Sequence, residues 1–372
     1  MSRSLLRFDW VMFSAIAVLL VLSGLFIYSA DYRNDHAVGG LMGRQLVWAL
    51  IGLGCYGAAA FLDYRKLNSS HWWIYLAGLI SLVLVLFIGM SVYGAHRWFS
   101  FGGITVQPSE FAKLAVIFTL AAWLGDPATD VERFKTFVLA FVLAGVPFLL
   151  IALEPDLGSA MVLLPIVILL LFCAGVPLRP LLTLMGLGVV ALLILIAWLL
   201  FFPESCPLED YQKSRILVYL NIHQDPLGAG WNKLQSQIAV GSGGWFGKGY
   251  LKGTQNILGF LPRTVAPTDF IYSVVSEETG FAGSSLLLVL YTTVVMRCMH
   301  AAVLARDTFG RLLAAGIGVL IFSHVFVNIA MTIGLMPITG VPLPLMSYGG
   351  TFMVTIMTAL GLVQSVYLRR RI

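Results

Sequence analysis

Ten long apolar segments, separated by shorter polar segments, run along the chain. A helix needs about 20 consecutive apolar residues to cross the hydrocarbon core of a bilayer, and each segment is near that length. The pattern predicts an all-α integral membrane protein, a polytopic bundle of ten transmembrane helices. The predicted spans are residues 9–30, 43–62, 71–90, 109–125, 136–153, 159–175, 180–202, 270–296, 310–335 and 351–368.

One connection is much longer than the others. Residues 203–269, between spans seven and eight, hold no predicted span, so we expect them to form one large extramembrane loop. No internal repeat, low-complexity segment or fused soluble domain is visible. The prediction is a single membrane domain over residues 1–372.

The composition agrees with this class. Hydrophobic residues make up 59% and charged residues 11% of the chain, whereas soluble domains have about 45–50% and 25%. The net charge of +5 does not indicate a nucleic-acid partner, because basic residues of membrane proteins set orientation and none here interleave with aromatics as single-strand binding requires. The cysteines and histidines show no metal-ligand spacing.

Lysine and arginine are distributed unevenly between the two sides of the predicted bundle. With the N-terminus inside, thirteen basic residues lie in short inner segments and three in short outer loops. Because basic residues favour the cytoplasmic side, both termini are predicted to be cytoplasmic and the 203–269 loop to lie outside. The inner set is Arg3, Arg7, Arg65, Lys66, Arg133, Lys135, Arg179, Arg297, Arg306, Arg311, Arg369, Arg370 and Arg371, and the outer set is Arg33, Arg44 and Arg97.

Unusual polar residues gather on the predicted outer side. Glu110 and Lys113 open span four, Asp156 lies between spans five and six, and Asp269 precedes span eight. The loop "PITGVPLPLMSYGG" (337–350) is uncharged and rich in proline and glycine, as expected of a rigid segment packed into protein. One outward-facing site is the simplest interpretation.

Each of these residues also has a structural interpretation. Glu110 and Lys113, three residues apart on one helix face, suit an ion pair that neutralises itself within the bundle. Glu154 and Asp156 suit a helix N-terminus, where negative charge is favourable. Arg97 suits an interfacial anchor as well as a contact to an acidic substrate.

The glycine-rich stretch "GSGGWFGKG" (241–249) resembles a phosphate-binding loop only superficially. Ser242 replaces a glycine and Gly249 replaces the serine or threonine of the Walker pattern, and Phe246 breaks GxGxxG. We interpret it as a flexible turn, with backbone amides that contact a phosphate as the alternative.

The stretch "APTDFIYSVVSEETGF" (266–281) places acids at the mouth of an apolar span, where they are costly and usually functional. On a helix that starts at Asp269, residues 272, 273 and 276 share its face and form a polar stripe. An ionised carboxylate at the membrane edge can take a proton from a hydroxyl. Asp269 is therefore the candidate general base.

Two further acids follow in the same span. Glu278 lies about 180° around the helix from Asp269, and Glu277 lies at a similar depth, two turns inward. Gly280 is expected to loosen the helix beside them. We interpret Glu277 and Glu278 as buried structural acids, protonated or hydrogen-bonded.

The chain resembles a known family over nearly its whole length, on several motifs that occur in a fixed order. It is similar to the SEDS proteins (shape, elongation, division and sporulation), and within them to the RodA elongation branch rather than the FtsW division branch. The motifs are "VQPSEFAK", "EPDLGSA", "DPLGAGWNKLQSQIAVGSGGWFGKGYLKGTQ", "PTDFIYSVVSEETGF" and "GVPLPLMSYGG", with "KGTQ" and the last of these favouring RodA.

The resemblance implies a peptidoglycan glycosyltransferase that polymerises lipid II at the outer face of the cytoplasmic (inner) membrane during elongation. Its implied partners are a class B penicillin-binding protein, the elongation machinery and membrane lipids. Asp269 matches the essential aspartate of "TDF", Glu110 and Lys113 match the pair in "PSExAK", and Asp156 matches the acid of "PDLG". In "LPRTVAPTDF" (261–270) the chain is two residues longer than the family pattern and lacks its acid and histidine.

The expected chemistry is one inverting displacement on a lipid pyrophosphate. Asp269 would deprotonate the acceptor hydroxyl, and cations would stabilise the negative charge that develops on the leaving group. A divalent cation such as Mg²⁺, held by Asp156 or Glu110, is a candidate cofactor. The candidate cations of the chain are Lys113, Arg97, Lys213 and Arg215.

Two other functions are compatible with ten spans and intramembrane charges. A lipid II flippase would place polar residues near the midplane, whereas here they lie at the outer edge. A scaffold that only recruits the penicillin-binding protein leaves the acidic residue Asp269 and its polar stripe without a role.

Overall fold

The computed structural model describes residues 7–32, 40–92, 95–102, 104–220 and 228–370. These residues form fifteen helices and three short strands. The helices are α1 (Trp10–Asp31), α2 (Gly40–Phe61), α3 (Arg65–Asn68), α4 (His71–Ile88), α5 (Pro108–Leu124), α6 (Phe134–Leu153), α7 (Leu157–Met161), α8 (Leu163–Ala174), α9 (Leu178–Phe201), α10 (Asp210–Leu220), α11 (Ala229–Ser242), α12 (Thr254–Ile257), α13 (Ile271–Leu304), α14 (Thr308–Thr332) and α15 (Gly350–Leu368).

The helical content is that of a polytopic membrane protein. Eight helical stretches of the described chain are long and apolar enough to cross a bilayer, with α7 and α8 counted together as one stretch. Helices α2 and α5 coincide with the remaining two predicted spans, although α5 has only 17 residues. Helix α9 leaves most of its leucines and both of its valines exposed, as a lipid-facing helix does.

The prediction of an all-α fold is wrong for one segment. Residues before α5 form an antiparallel sheet of three strands, β1 (Met90–Val92), β2 (Ala95–Phe101) and β3 (Ile104–Val106), in sequential order. The pairing of Phe99 with Val106 and of Phe101 with Ile104 closes a tight hairpin, and Gly102 in it has φ 55°. The dipeptide Gly-Gly between two short apolar runs was the sequence signal for this turn.

The centre of the bundle is built around α14 and α15, most of whose side chains are buried. Helix α15 packs along α2, and α13 packs along α14 and α1. Small residues allow these close approaches. A side chain at Gly350 would collide with the ring of Trp48, and one at Gly361 would collide with the backbone of Tyr56.

Helix α13 is broken in its first third and is longer than the predicted span of 270–296. Gly280 has φ 65° and ψ −158°, a conformation that is open essentially to glycine alone. The "GSGGWFGKG" stretch packs into the break, where the amides of Lys248 and Gly249 donate to the carbonyls of Glu277 and Glu278 at 3.0 Å. These amides replace the lost helical hydrogen bonds, so they are not free to contact a phosphate.

The loop between α9 and α13 is not wholly peripheral, contrary to the prediction for 203–269. Helix α11 runs beside the start of α13 and in the same direction, since Ser236 contacts Ser273 (Oγ–Oγ 2.6 Å) while Gly243 abuts the backbone of Ser276. Gly280, at the far end of this contact, lies roughly 13 Å along α13 from its first residue, at about 1.5 Å per residue.

The chain then returns along α1. Tyr250 donates its hydroxyl to the carbonyl of Leu25 at 2.9 Å, and Arg263 donates to the carbonyl of Asp31 at 2.7 Å. Residues 229–263 therefore descend into the bundle and come back to the same end. We call this segment the re-entrant hairpin.

Candidate functional site

Asp269 lies two residues before the start of α13 and is held by its backbone. Helix α13 begins at Ile271, so Asp269 is outside the helix on whose face the sequence placed it. The carbonyl of Asp269 accepts a hydrogen bond from the Asn328 amide nitrogen at 2.9 Å. Its partly exposed carboxylate lies close to Gly340 of the 337–350 loop.

The predicted polar stripe of α13 faces the re-entrant hairpin instead of the Asp269 carboxylate. Ser273 is fully buried against Ser236 of the hairpin, and Gly243 of the hairpin abuts the backbone of Ser276. The stripe was correctly identified as one helix face, but Asp269 does not belong to it, because the chain turns before the helix starts.

Asp156 and Arg97 are fixed at the junction of α6 and α7. Asp156 is the N-cap of α7, accepting from the amide of Ser159 at 3.1 Å, and its other oxygen accepts from Gln107 at 3.2 Å. The structural alternative, a helix cap, holds for Asp156, whereas Glu154 ends α6 and caps no helix N-terminus. Arg97, on β2, donates from Nε to the carbonyl of Glu154 at 2.7 Å and from Nη2 to the carbonyl of Pro155.

Arg215 joins this group from α10. Its Nη1 donates to the carbonyl of Thr339 at 3.2 Å, which ties α10 to the 337–350 loop. Lys213 is two residues away, about 200° around the same helix. The two cations therefore point in opposite directions, and the structure brings Arg215 but not Lys213 to Asp269.

The charges of this group act on one another. Burial and the negative charge of Asp156 raise the pKa of Asp269 to about 6, while Arg215, Thr268 and Arg97 act in the opposite direction. Burial and the positive charge of Arg97 lower the pKa of Arg215 from its usual value. Asp269, Asp156, Arg97 and Arg215 thus form one electrostatic unit, which we call the Asp269 cluster.

Glu154 is an additional buried acid at the edge of this cluster. Neither of its carboxyl oxygens hydrogen-bonds to a described residue. Burial and the neighbouring charge of Asp156 raise its pKa to about 8. A neutral carboxyl is the favourable form at such a position.

Glu110 and Lys113 form a closed pair rather than an accessible one. Lys113 Nζ lies 2.8 Å from Glu110, both side chains are buried, and the exposed fraction of Lys113 is 0%. The ammonium also contacts His324 Nε2 at 3.1 Å. The predicted ion pair is confirmed, and neither residue is exposed to a ligand in this structure.

Glu277 and Glu278 have the structural surroundings predicted for them. Glu277 accepts hydrogen bonds from Lys248 at 2.6 Å and from Thr254 at 3.0 Å. Glu278 accepts a hydrogen bond from Ser29. Both acids are buried, and together they fasten the re-entrant hairpin to α13 and α1.

An apolar groove opens beside the Asp269 cluster. It has a volume of about 650 Å³ and lies between α2, the sheet and the start of α15. Thr268, the chain neighbour of Asp269, is part of its wall. Other lining residues are Arg44, Trp48, Trp98, Tyr348 and Phe352.

No group of three or more His, Cys, Asp or Glu side chains with metal-ligand geometry occurs within the described ranges. Asp156 and Asp269 are the carboxylates best placed to bind a cation, and Arg97 and Arg215 lie in the same group. The divalent cation stays a prediction.

Two polar residues of the site were missed at the level of sequence. His324 and Asn328 lie four residues apart in the apolar span α14, hence on one helix face. Polar residues in a membrane span are themselves a signal of function or of close packing, and that signal was available in "SHVFVN".

Comparison with known proteins agrees with the motifs. The FtsW/RodA/SpoVE family model, described as a cell cycle protein, matches residues 3–372. The peptidoglycan glycosyltransferase MrdB of Escherichia coli is 38% identical, with 98% of this chain and 94% of that protein covered. The peptidoglycan glycosyltransferase RodA of Treponema pallidum is 32% identical, with 99% of each covered.

Solved structures show the same fold. One is a chain from work on the structural coordination of polymerization and crosslinking by a peptidoglycan synthase complex, with a TM-score of 0.78, 31% identity and 97% of each chain covered. Another is the rod shape determining protein RodA of Thermus thermophilus, with a TM-score of 0.71, 29% identity and 98% and 97% covered. The chain therefore belongs to the FtsW/RodA/SpoVE family, the SEDS proteins.

Proposed function

We propose that this protein is the peptidoglycan glycosyltransferase that polymerises lipid II during cell elongation. It works at the outer face of the cytoplasmic membrane, with ten spans, both termini in the cytoplasm, and α10 and the Asp269 cluster outside. The peptidoglycan glycosyltransferase activity of the relatives MrdB and RodA supports the reaction. The uneven distribution of basic residues supports the orientation.

One observation carries the proposal, namely a partly exposed carboxylate whose neighbours are a second carboxylate and two arginines. Asp269 has a pKa of about 6, so it is mostly ionised at neutral pH and still basic enough to accept a proton. In an inverting transfer it takes the proton from the acceptor hydroxyl as that oxygen attacks the anomeric carbon. The pyrophosphate leaves on the opposite side, and no covalent enzyme intermediate forms.

Arg215 and Arg97 are the cations placed to stabilise the departing pyrophosphate. Both act on Asp269 through space, and negative charge that develops beside fixed cations is stabilised without reorganisation. Lys113 is enclosed by Glu110 and His324, and Lys213 points away from Asp269. The geometry supports substrate contact by Arg215 and Arg97 more than by the two lysines.

The groove beside Thr268 suits a lipid tail. Its walls are mostly apolar and aromatic, and they include Trp98 and Thr268, the chain neighbours of Arg97 and Asp269. A polyprenyl chain in the groove would leave its pyrophosphate near the arginines. A divalent cation bound by Asp156 would add to the charge stabilisation there.

A class B penicillin-binding protein is the proposed partner. The structural relative comes from a complex that coordinates polymerization and crosslinking, which supports an assembly of this kind. The polymer made here would be the substrate of the partner's transpeptidase.

A lipid II flippase is the second candidate, and one observation favours it. Helix α13 is broken at Gly280 and the re-entrant hairpin packs into the break. Broken helices near the midplane are typical of secondary transporters.

The deciding experiment is polymerisation of lipid II by the purified complex with the penicillin-binding protein, its transpeptidase blocked. We expect wild type to make glycan strands, and Asp269→Asn to bind the partner but make none. Normal polymerisation by Asp269→Asn would reject the general base. Movement of lipid II across vesicles by a wild type that makes no polymer would establish the flippase.

A further inference from the structure

We infer that Asn328 and His324, on one face of α14, are positioning residues that hold Asp269 and the 337–350 loop in the geometry needed for reaction. The inference rests on the proposed role of Asp269 as the base. It assigns a function to two buried polar side chains that touch neither the groove nor the Asp269 carboxylate.

Asn328 joins two chain segments through one nitrogen. Its amide Nδ2 donates to the carbonyl of Asp269 at 2.9 Å and to the carbonyl of Val341 at 2.8 Å. A primary amide supplies two N–H groups from one atom without carrying charge. Because Asn328 is fully buried, replacing it leaves both carbonyls without a donor, and each unpaired buried group is costly.

His324 holds the next residue of the same loop. Lys113 can only donate hydrogen bonds, so His324 Nε2, 3.1 Å from its ammonium, must be the acceptor. The ring proton is then on Nδ1, which lies 3.3 Å from the carbonyl of Pro342 and donates to it. Glu110, Lys113 and His324 form a buried chain of contacts that ends on the loop.

Two more hydrogen bonds join the same two segments directly. Ser347 donates its hydroxyl to the carbonyl of Thr268 and accepts from the amide of Leu343 at 2.8 Å. The amide of Tyr348 donates to the carbonyl of Pro267 at 2.8 Å. Three consecutive residues, 267, 268 and 269, which end two positions before α13 begins, are therefore all attached through their carbonyls.

This arrangement explains why a loop without charges lies beside the base. Residues outside a helix have no helical hydrogen bonds to fix them, so the position of Asp269 depends on these side chains. A displacement of about 1 Å from reactive geometry costs about 10²-fold in rate. Glu110 and Lys113 thereby influence catalysis through His324 and the loop, without substrate contact.

The test compares Asn328→Leu with Ser323→Ala in the lipid II assay, in the complex with the blocked penicillin-binding protein. Leucine has nearly the shape of asparagine but no donor. Ser323 is buried on the same helix, and its hydroxyl has no partner among the described residues, so Ser323→Ala is the matched control. We expect kcat of Asn328→Leu to fall about 10²-fold, with KM for lipid II within about twofold of wild type. The acid limb of the profile of kcat against pH should also lie at a different pH from that of wild type. Ser323→Ala should keep both constants.

Ser347 supplies the second pair if Asn328→Leu does not fold. Ser347→Ala should lower kcat, and Ser347→Thr, which keeps the hydroxyl, should restore it. The inference is overturned if Asn328→Leu or Ser347→Ala retains wild-type kcat, or if kcat falls only in proportion to the folded fraction with an unchanged pH profile. Activity of Asp269→Asn would instead reject the base itself, whatever the Asn328 variant does.

Discussion

At the scale of single residues, the ionisation of Asp269 controls the proposed chemistry. The carboxylate must be deprotonated to accept a proton, and burial with Asp156 nearby raises its pKa to about 6. The environment that raises this pKa makes Asp269 a stronger base. It also leaves the carboxyl group protonated, and therefore unable to accept a proton, at mildly acidic pH.

The pH profile follows from this pKa. We expect kcat/KM for lipid II to be constant near neutral pH and to fall tenfold per unit below about pH 6. Removing the charge of Asp156 with Asp156→Asn should move this acid limb to lower pH, since one cause of the raised pKa disappears. The measurement is initial polymerisation rate against pH. An acid limb that Asp156→Asn leaves in place would show that Asp269 is not the titrating group.

The two cations of α10 give a second prediction. Arg215→Gln should lower kcat/KM by about 10²-fold, the usual loss on removing one preorganised donor from a developing negative charge. Lys213→Gln, on the opposite side of the same helix, should stay within about threefold of wild type, because a half-buried charge that points away from Asp269 contributes little to the charge that develops there. Equal losses in both variants would contradict the assignment of Arg215.

At the scale of elements, the break in α13 is the feature on which the site depends. Gly280 allows the re-entrant hairpin to insert beside the helix, and Lys248, Glu277 and Thr254 join the two. Since the hairpin then leads directly to Asp269, the break and the base are parts of one arrangement.

Substitution of the glycine tests this dependence. In Gly280→Ala, the added carbon would collide with the backbone of Gly247 and of Phe246 and would occupy a backbone conformation that alanine rarely adopts. We expect a lower thermal midpoint in detergent and loss of polymerisation. Gly57→Ala is the control, because a side chain there meets open space and alanine is the better helix former. A stable, active Gly280→Ala would show that the break is not required.

At the scale of the whole molecule, the proposed topology determines which side of the membrane carries the Asp269 cluster. Ser214, on α10, and Ala128, in the turn between α5 and α6, are both exposed. They are predicted to lie on opposite sides of the membrane.

Labelling of single cysteines measures this directly. In a background without the four native cysteines, a membrane-impermeant maleimide should label Ser214→Cys in intact spheroplasts. It should label Ala128→Cys only after the membrane is opened. Labelling of both without permeabilisation, or the reverse order, would reject the orientation and place the cluster on the cytoplasmic side.

The elements themselves follow largely from local sequence. Apolar length identified the eight helical stretches that are long enough to cross a bilayer, because crossing requires a continuous apolar run and helical closure of the backbone. The three-stranded sheet was missed because its strands are only three to seven residues long, too short for a period to stand out. The helix face was counted from Asp269, two residues before α13 begins, which was enough to detach Asp269 from its predicted face.

The sequence by itself determined the membrane class, the helical segments, the family motifs and the identity of the candidate base. Only the tertiary structure decided which groups surround that base. Lys113 and His324 are 211 positions apart in the chain, and Asn256 and Ser29 are 227 apart. Such contacts depend on how helices pack, which a local pattern does not contain. Packing therefore selected Arg215 over Lys213, enclosed Lys113, and attached Asp269 to Asn328.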